Sequence, residues 1–212
     1  ERFLQLCSND NMQVMNCTTP ANYFHALRRQ MHRDFRKPLI IMTPKSLLRH
    51  KQCVSNIEDF NKKNSFHRVL WDHALDPKIK GFIKLKKAKK IKKVILCSGK
   101  IYFDLVEARE KFKRDDIIFL RIEQLYPFPA KALAKELRPY IKNSKFYWCQ
   151  EEPKNMGAWF SVRDYIQWTL DKIKANNNQI SYIGRSPDAS PATGYAKWHI
   201  SQQQEIVKKV FE

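Results

Sequence analysis

The chain has 212 residues, 43% of them hydrophobic, which is enough to bury the core of one or two domains. Its 40 Lys and Arg residues against 21 Asp and Glu give a formal net charge of +19, which raises nucleic-acid binding as one hypothesis. Ten prolines and five glycines exclude a collagen-like or low-complexity chain, and the apolar runs are too short to span a bilayer. We therefore expect a soluble globular protein without a membrane-spanning segment.

The cysteine pattern bears on the redox compartment. There are five cysteines, an odd number, and no two of them form a Cys-x-x-Cys pair. This pattern argues against a disulfide framework and against the common zinc signatures, and it favours a reducing compartment. The cysteines are Cys7, Cys17, Cys53, Cys97 and Cys149.

The first half of the chain predicts a mixture of short elements. The opening residues read as the last turns of a helix that begins elsewhere, so we expect the chain to be a fragment. Thr18, Thr19 and Pro20 supply an N-cap and a first-turn proline for a helix. The predicted elements are a helix end over 1–7, a strand over 11–16, a helix from 20 to about 31, a fully buried strand over 39–42, a loop over 50–65 with one helical turn at 57–60, and a short strand over 66–71.

Residues 72–90 read as a connector because they contain Pro77, Gly81 and most of a lysine run over 84–93. A solvated connector explains this run as well as a nucleic-acid site does, because a charge run alone is a weak signal. We therefore favour the connector and expect no nucleic-acid partner.

From residue 92 onward, strands and helices alternate regularly. Four strands separated by helical crossovers predict an α/β fold of three αβα layers, with a mainly parallel, doubly wound sheet. The predicted elements are strands over 93–97, 116–122, 144–150 and 180–184 and helices over 101–112, 129–138, 158–174 and 198–211.

Polar residues follow two of the predicted strands. The turn Gln150–Pro153 would place Glu151 and Glu152 at the carboxyl end of a buried strand, where ligands of open α/β sheets gather. Arg121, Glu123 and Gln124 hold the same position on another strand. An ion pair with Arg121 and a ligand or subunit contact at the sheet edge are both open there.

No local motif predicts catalysis. Ser98-Gly99-Lys100 follows a strand and opens a helix, but a phosphate loop needs further glycines, so a tight turn is favoured. Cys149 lies beside carboxylates that would raise its pKa, which favours a core thiol over a nucleophile. The six histidines show no metal-ligand spacing. We assign no catalytic residue and no metal ligand.

Several ordered blocks resemble one family. They closely resemble the C-terminal part of the first, decarboxylating component of 2-oxoglutarate dehydrogenase, and the resemblance covers essentially the whole chain. The blocks are 1–7, 36–39, 43–49, 98–105, 121–127, 149–153, 157–159 and 184–191.

The resemblance implies a domain plan and an activity. Residues 1–80 would be the tail of a transketolase-like, thiamine pyrimidine-binding α/β domain plus a connector, and residues 81–212 would be a transketolase-type C-terminal domain with a five-stranded mixed sheet. The family uses thiamine diphosphate and Mg²⁺ to decarboxylate 2-oxoglutarate in the tricarboxylic acid cycle. It works as a homodimer in a complex with dihydrolipoyl succinyltransferase and dihydrolipoyl dehydrogenase, in the bacterial cytoplasm or the mitochondrial matrix.

The resemblance also implies what the chain lacks. The family's catalytic and cofactor-binding residues lie upstream of Glu1, so the fragment by itself is expected to be inactive, to bind no cofactor and to support the dimer. Another transketolase-type 2-oxo acid decarboxylase and a basic nucleic-acid module are the alternatives.

An effector site is implied as well. Some bacterial members bind acetyl-CoA where the two domains meet, and Arg49 and Gln124 match residues that hold it, with Lys131 in place of an arginine. Ser65 and Ala132 depart from the family pattern. Ordinary salt bridges between the domains are the alternative reading of these residues.

Overall fold

The computed structural model describes residues 1–77 and 79–212. The α-helices are α1 (Arg2–Gln5), α2 (Pro20–His32), α3 (Ile101–Phe112), α4 (Ala130–Leu137), α5 (Trp159–Lys172) and α6 (Ala196–Phe211). The strands are β1 (Gln13–Met15), β2 (Leu39–Ile41), β3 (Val69–Leu70), β4 (Lys93–Cys97), β5 (Ile117–Ile122), β6 (Gln124–Tyr126), β7 (Lys145–Pro153) and β8 (Ile180–Arg185). Short 3₁₀ helices span Lys45–Arg49, Ile57–Phe60, His73–Leu75, Ala88–Lys90 and Arg138–Tyr140.

The larger sheet has five strands in the order β3-β5-β4-β7-β8. The last four are mutually parallel because a helix carries the chain back between each pair, and β3 joins β5 at the edge in antiparallel fashion. The predicted mainly parallel sheet is confirmed, as is the mixed character that the family resemblance implied.

Helices cover both faces of this sheet. Residues of β4 alternate between two hydrophobic clusters: Val94 packs in the cluster that contains Val162 of α5, and Ile95 packs in the one that contains Ile101 of α3 and Ile206 of α6. Alternation with a period of two is what a strand buried on both faces requires. The three αβα layers are therefore confirmed.

A second, three-stranded sheet has the order β2-β1-β6. Strands β1 and β2 are parallel, whereas β6 pairs with β1 in antiparallel fashion. Sequence reasoning missed β6, which spans only Gln124–Tyr126 and lies directly before Pro127. A three-residue strand carries no periodicity of its own and exists only because β1 offers it hydrogen bonds.

Two of the predicted strands in the first half differ from the structure. The strand predicted as fully buried over 39–42 is the half-buried edge strand β2, because only β1 flanks it. The strand predicted over 66–71 shrinks to β3, Val69–Leu70, whose two residues pair with Ile122 and Arg121 at the edge of the larger sheet.

Strand β7 is longer than predicted. Glu151 and Glu152 were placed in a turn, but they lie within the strand, which continues to Pro153. Pairing with β8 resumes at Pro153 and Arg185 after a register shift beyond Cys149, so the neighbouring strand extends β7 past its apolar segment.

The predicted connector over 72–90 has fixed structure in its described part, and Lys78 lies outside the described residues. The Ile83 amide donates to Glu110 Oε2 at 2.8 Å, and the Lys86 amide donates to the Asp115 carbonyl at 2.8 Å. Ile91 is 1% exposed. The lysine run therefore lies against the domain instead of forming a free linker.

Among the described residues, no helix is both long enough and apolar enough to cross a membrane. Residues near the start of the chain share one hydrophobic cluster with the larger sheet, since Leu4 and Val14 pack with Val94 and Leu125. The predicted division of the chain at residue 80 remains a prediction.

Candidate functional site

The two sheets meet where β5 ends. The Asn16 amide donates to the Glu123 carbonyl at 2.8 Å, and the Glu123 amide donates to the Arg68 carbonyl at 3.0 Å. These bonds bring the carboxyl end of the larger sheet against the start of α2. We call the group formed by Thr18, Asn22, Arg121 and Glu123 the inter-sheet interface.

Glu123 is the central acceptor of the inter-sheet interface and is fully buried. Its Oε2 accepts from the Thr18 amide and from Asn22 Nδ2, both at 2.9 Å, and its Oε1 accepts a short bond from the Thr18 hydroxyl. Burial raises the pKa of the Glu123 carboxyl, although Arg121 and these donors act in the opposite direction. The carboxylate therefore fixes the residues that lead into α2.

The start of α2 explains why donors converge on Glu123. Thr19 is the N-cap, and its hydroxyl accepts from the Asn22 amide at 3.2 Å, while Pro20 occupies the first turn. The predicted helix start is confirmed. The Thr18 amide precedes the cap and has no helical acceptor, so Glu123 satisfies it.

Arg121 crosses the same interface. It is 2% exposed and donates to Thr18 Oγ1 at 3.1 Å and to the Trp71 carbonyl at 2.6 Å, with its guanidinium 4.1 Å from the Tyr102 ring centroid. Among the described residues, it has no carboxylate within ion-pair distance. The predicted ion pair with Arg121 is therefore not formed among the described residues, and the ligand or subunit contact at the sheet edge stays a prediction.

A buried ion pair lies next to Arg121. Arg109 and Asp72 are both fully buried, Arg109 donates two hydrogen bonds to the carboxylate, and Asp72 also accepts from the Phe119 amide at 3.0 Å. The adjacent His73 has its pKa lowered to about 3, first by burial and then by Arg121 and Arg109. Asp72 therefore supports the sheet and does not orient His73 as a base.

Two of the three predicted effector residues line one cavity. A cavity of about 560 Å³ lies beside the inter-sheet interface and is lined by both Gln124 and Lys131. Arg49 is not among its lining residues. It is exposed and ends the 3₁₀ helix Lys45–Arg49, whose Leu47 is buried. The lining also includes Arg33, Lys37, Arg68, Phe35 and Asp10.

Gln124 is itself held in place. It is 4% exposed, its Oε1 accepts from Arg29 Nη2 at 2.8 Å, and its Nε2 donates to the Pro127 carbonyl at 2.6 Å. The amide therefore links the cavity wall to α2.

A second cavity of about 370 Å³ shares Arg68 with the first and is lined by Arg28, Arg29 and Ser65. Burial and the neighbouring Arg33 and Arg68 lower the pKa of Arg29 to about 10. Arginines line both cavities and lysines line the first, an environment that suits a polyanionic ligand.

The carboxyl end of β7 holds a separate polar cluster. Lys100 forms an ion pair with Glu151, and Gln203 Nε2 donates to Glu151 Oε1 at 2.9 Å and to Asp104 Oδ2 at 2.7 Å. Burial raises the pKa of Glu151 despite Lys100. Cys149, just before it, is fully buried with its pKa raised, which confirms a core thiol.

Gln150 is a positioning residue that sequence reasoning missed. Its Oε1 accepts from Trp148 Nε1 at 2.9 Å and from the Trp159 amide at 3.1 Å, and its Nε2 donates to the Met156 carbonyl at 2.8 Å. The side chain thereby ties β7 to the first turn of α5. A glutamine directly after an apolar strand and seven residues before Gly157 was the available signal.

The turn Ser98-Gly99-Lys100 is the tight strand-to-helix turn that was predicted. Gly99 has φ +76°, and a Cβ there would lie 2.5 Å from Asn16 Nδ2. The space in front of the turn is therefore occupied by Asn16.

A divalent cation such as Mg²⁺ is held mainly by clustered oxygen ligands, carboxylates above all. No group of three or more His, Cys, Asp and Glu side chains in the described part of the chain is arranged to hold a metal ion.

The fold places the chain in a broad class. A helix-covered, mainly parallel sheet with an antiparallel edge strand, joined to the end of a second α/β sheet, is the arrangement that the sequence resemblance implied for transketolase-type enzymes. Residues 54–211 match the family model described as 2-oxoglutarate dehydrogenase C-terminal, and residues 1–51 match the transketolase pyrimidine binding domain. The chain belongs to the 2-oxoglutarate dehydrogenase C-terminal family.

Curated relatives agree with this membership. The chain is 59% identical over 202 residues to the 2-oxoglutarate dehydrogenase E1 component of Brucella abortus (strain S19). The aligned region covers 95% of the chain and 20% of the relative. The chain is 58% identical over 202 residues to the protein of the same name from Brucella ovis, with the same coverage. The chain thus spans about a fifth of the length of the curated relatives it matches.

Proposed function

We propose that this chain is the C-terminal part of a 2-oxoglutarate dehydrogenase first component, which decarboxylates 2-oxoglutarate in the tricarboxylic acid cycle with thiamine diphosphate and Mg²⁺. The observation that carries the proposal is the pair of family matches in consecutive order over nearly the whole chain, together with 59% identity to a relative of that name.

The chain's own role in this proposal is structural. Glu123 and Arg121 hold the start of α2 against the larger sheet. Gln150 holds the segment that connects β7 to α5. These contacts set the position of the pyrimidine-domain segment relative to the C-terminal sheet. The catalytic groups, the cofactor ligands and the Mg²⁺ ligands come from other parts of the protein.

The remaining features of the proposal follow from the same membership. The protein works as a homodimer, with dihydrolipoyl succinyltransferase and dihydrolipoyl dehydrogenase as partners, and the domain division falls near residue 80. The bacterial cytoplasm and the mitochondrial matrix are the two proposed compartments. Both are reducing, which suits five free cysteines.

Substrate turnover tests the proposal. The native full-length protein, supplied with thiamine diphosphate and Mg²⁺, is expected to reduce an artificial electron acceptor with 2-oxoglutarate and far more slowly with pyruvate. Residues 1–212 alone are expected to show no turnover. Preference for pyruvate would indicate another 2-oxo acid decarboxylase, and turnover by residues 1–212 alone would contradict the structural role.

We also propose that the two basic cavities form an effector site for acetyl-CoA. The joint presence of Gln124, Lys131, Arg33 and Arg68 around the first cavity supports this, because cationic side chains suit the phosphates and Gln124 suits an amide edge. Arg49 lines neither cavity and is proposed as a further phosphate contact.

Calorimetric titration of acetyl-CoA into the native protein tests the effector site. Lys131→Gln and Arg33→Gln are each expected to weaken binding by about tenfold, since each removes one charge-assisted phosphate contact. Arg49→Gln is expected to weaken it less. Lys135→Gln, an exposed lysine one turn further along α4, is the matched control. Equal losses of affinity in Lys135→Gln and Lys131→Gln would mean that net charge, and not a phosphate contact of Lys131, explains the binding.

A further inference from the structure

The strands β5, β4 and β7 are neighbours in the larger sheet. Their amino ends lie at the end of the sheet opposite the inter-sheet interface. Lys93 of β4 is in register with Ile117 of β5 and with Lys145 of β7. The Lys92 amide donates to the Asp116 carbonyl at 2.8 Å, and the Lys145 amide donates to the Lys92 carbonyl at 2.9 Å. The lysine run is thus built into this end of the sheet.

Further contacts bring lysines from other loops beside the run. Asn143 Nδ2 donates to the Lys89 carbonyl at 2.8 Å, and Ser144 Oγ donates to the Ile91 carbonyl at 2.8 Å. Asn176 Nδ2 then donates to the Lys142 carbonyl at 3.0 Å, which draws in the end of α5.

These contacts assemble one basic surface, which we call the basic edge. Its members are all lysines, all are exposed, and they come from three segments that are distant in sequence. They are Lys86, Lys87, Lys89, Lys90, Lys92, Lys142, Lys145 and Lys174.

Nearby acids do not neutralise the basic edge. Asp115 pairs with Lys86 at 2.9 Å, and Asp116 is shared between Arg114 at 2.9 Å and Lys92 at 3.7 Å. Asp116 is itself 5% exposed, so little of its charge faces the solvent. Within the described residues, no ion pair involves the remaining members of the edge.

We propose that the basic edge is a docking surface for a carboxylate-rich face of another folded protein. Its backbone is fixed by hydrogen bonds among the segments at the amino ends of β4, β5 and β7, so binding a rigid, complementary acidic surface costs little ordering of the main chain. Clustered like charge of this kind steers an oppositely charged partner and sets its orientation. The inference rests on charge and geometry alone and stands apart from the proposed enzymatic function.

The chemistry of the edge favours a protein over a nucleic acid. Bidentate phosphate recognition uses arginine, and single-strand binding uses exposed aromatic rings for base stacking. The basic edge contains neither. Tyr147, on the adjoining strand, is half-buried, with the Lys93 ammonium 5.5 Å from its ring centroid.

Zero-length cross-linking of the native assembly tests the proposal. A carbodiimide joins a lysine amine to a carboxylate in direct contact, and mass spectrometry then identifies both residues. We expect links from Lys87, Lys89 or Lys142 to Asp or Glu of another polypeptide, with yields that fall as salt concentration rises. Links confined to this chain would overturn the proposal.

A charge-matched pair of variants then measures the interaction with the cross-linked protein by co-sedimentation. The triple variant Lys87→Gln, Lys89→Gln and Lys142→Gln is expected to weaken binding by about tenfold or more. The control variant Lys45→Gln, Lys51→Gln and Lys63→Gln removes the same charge from exposed positions elsewhere and is expected to change it by less than about twofold.

Equal losses in the two variants would overturn the proposal, because net charge would then explain the binding. Single-stranded oligothymidylate and phosphatidylserine vesicles serve as competing probes. If either binds the native protein through the basic edge, while no other protein is cross-linked there, the edge is a polyanion site and the proposed protein partner is wrong.

Discussion

Glu123 has its carboxylate at a point where the amide N–H and hydroxyl of Thr18, just before the N-cap of α2, converge with the side-chain amide of Asn22 in its first turn. At the scale of the single residue, this is the strongest constraint on how the two sheets meet. A buried donor without an acceptor costs the full free energy of its desolvation, whereas a buried donor with an acceptor adds only modestly to the free energy of unfolding. Removing Glu123 would leave buried donors without an acceptor, and that cost is larger than the stabilisation its hydrogen bonds add.

The first prediction concerns Glu123→Ala. This change leaves the Thr18 amide and Asn22 Nδ2 buried without an acceptor, so we expect the free energy of unfolding to fall by about 2–4 kcal/mol in urea denaturation. Glu123→Gln retains the shape and one acceptor and is expected to lose less. Glu107→Ala, at an exposed position on α3, is the control. A loss in Glu123→Ala no larger than the control's would contradict this role.

The pH dependence of Glu123 has a defined sign. Because burial raises the pKa of Glu123 in the folded state, its favourable contribution is present below the ordinary glutamic acid pKa and is lost as pH rises through the raised value. Relative to the unmodified protein, Glu123→Gln is therefore expected to gain stability as pH rises through this window.

The second prediction concerns His73, which is 6% exposed and faces Arg121. Its pKa is lowered to about 3, so below the ordinary histidine pKa the unfolded chain binds a proton that the folded chain does not. We expect this residue to reduce the free energy of unfolding by up to about 1.4 kcal/mol per pH unit as pH falls from about 6 towards 3.

His73→Gln, measured by urea denaturation across this pH range, is expected to flatten the acid limb. The raised pKa values of Glu123 and Glu151 act with the opposite sign over part of the range, so the comparison is made between variants at each pH. An unchanged slope in His73→Gln would show that other groups govern acid sensitivity.

At the scale of the element, the turn between β4 and α3 combines two requirements at Gly99. Its φ of +76° lies in the left-handed region, and Asn16 fills the space that a side chain would need. The turn is therefore both a backbone reversal and a packing contact with the residue that follows β1.

The third prediction is a glycine series that separates these two effects. Gly99→Ala is expected to destabilise the protein by about 2–4 kcal/mol, because backbone strain and a clash with Asn16 add. Gly81 has φ +93° but open space around it, so Gly81→Ala is expected to cost about 1 kcal/mol from strain alone. Gly194 has neither feature, so Gly194→Ala is expected to be close to neutral.

Thermal and urea denaturation of the three glycine variants measure this order. If Gly81→Ala were as damaging as Gly99→Ala, the contact with Asn16 would contribute nothing to the turn.

At the scale of the whole molecule, the first residues of the chain share a core with its second half. Val14 of β1 is 1% exposed, pairs with Tyr126 of β6 and packs in the cluster that contains Val94 of the larger sheet. The two sheets are thus joined by backbone bonds, a buried carboxylate and a common hydrophobic cluster. We infer that they unfold together.

The fourth prediction follows from this shared core. Val14→Ala removes buried methyl groups and is expected to lower the free energy of unfolding by about 2 kcal/mol. Hydrogen exchange is expected to speed up in β5 and β6 as well as in β1, because the sheets open as one unit. Val54→Ala, at a position 65% exposed, is the control. Faster exchange confined to β1 and β2 would mean that the smaller sheet opens independently.

Much of the fold was accessible from sequence. Strands β4, β5 and β8 and helices α3 and α5 follow apolar periodicities that local residues determine, and the predicted ranges agree with the structure within a few residues. The start of α2 was accessible too, because Thr19 and Pro20 act on adjacent backbone groups.

The candidate site was less accessible. The resemblance singled out Gln124 and Lys131, which line one cavity, but Arg49 does not line it. Gln150 and the acceptor role of Glu123 were missed, since a buried polar side chain in a strand has no periodic signature and its partners are distant in sequence.

The sequence by itself determined the αβα layering of the second half and the family to which the chain belongs, because both depend on local patterns and short ordered blocks. Only the tertiary structure decided that β6 completes the smaller sheet, that the lysine run is part of a folded edge and that Glu123 holds α2. Each of these depends on hydrogen bonds between segments far apart in the chain, and their energy appears only once the backbone has brought both partners together.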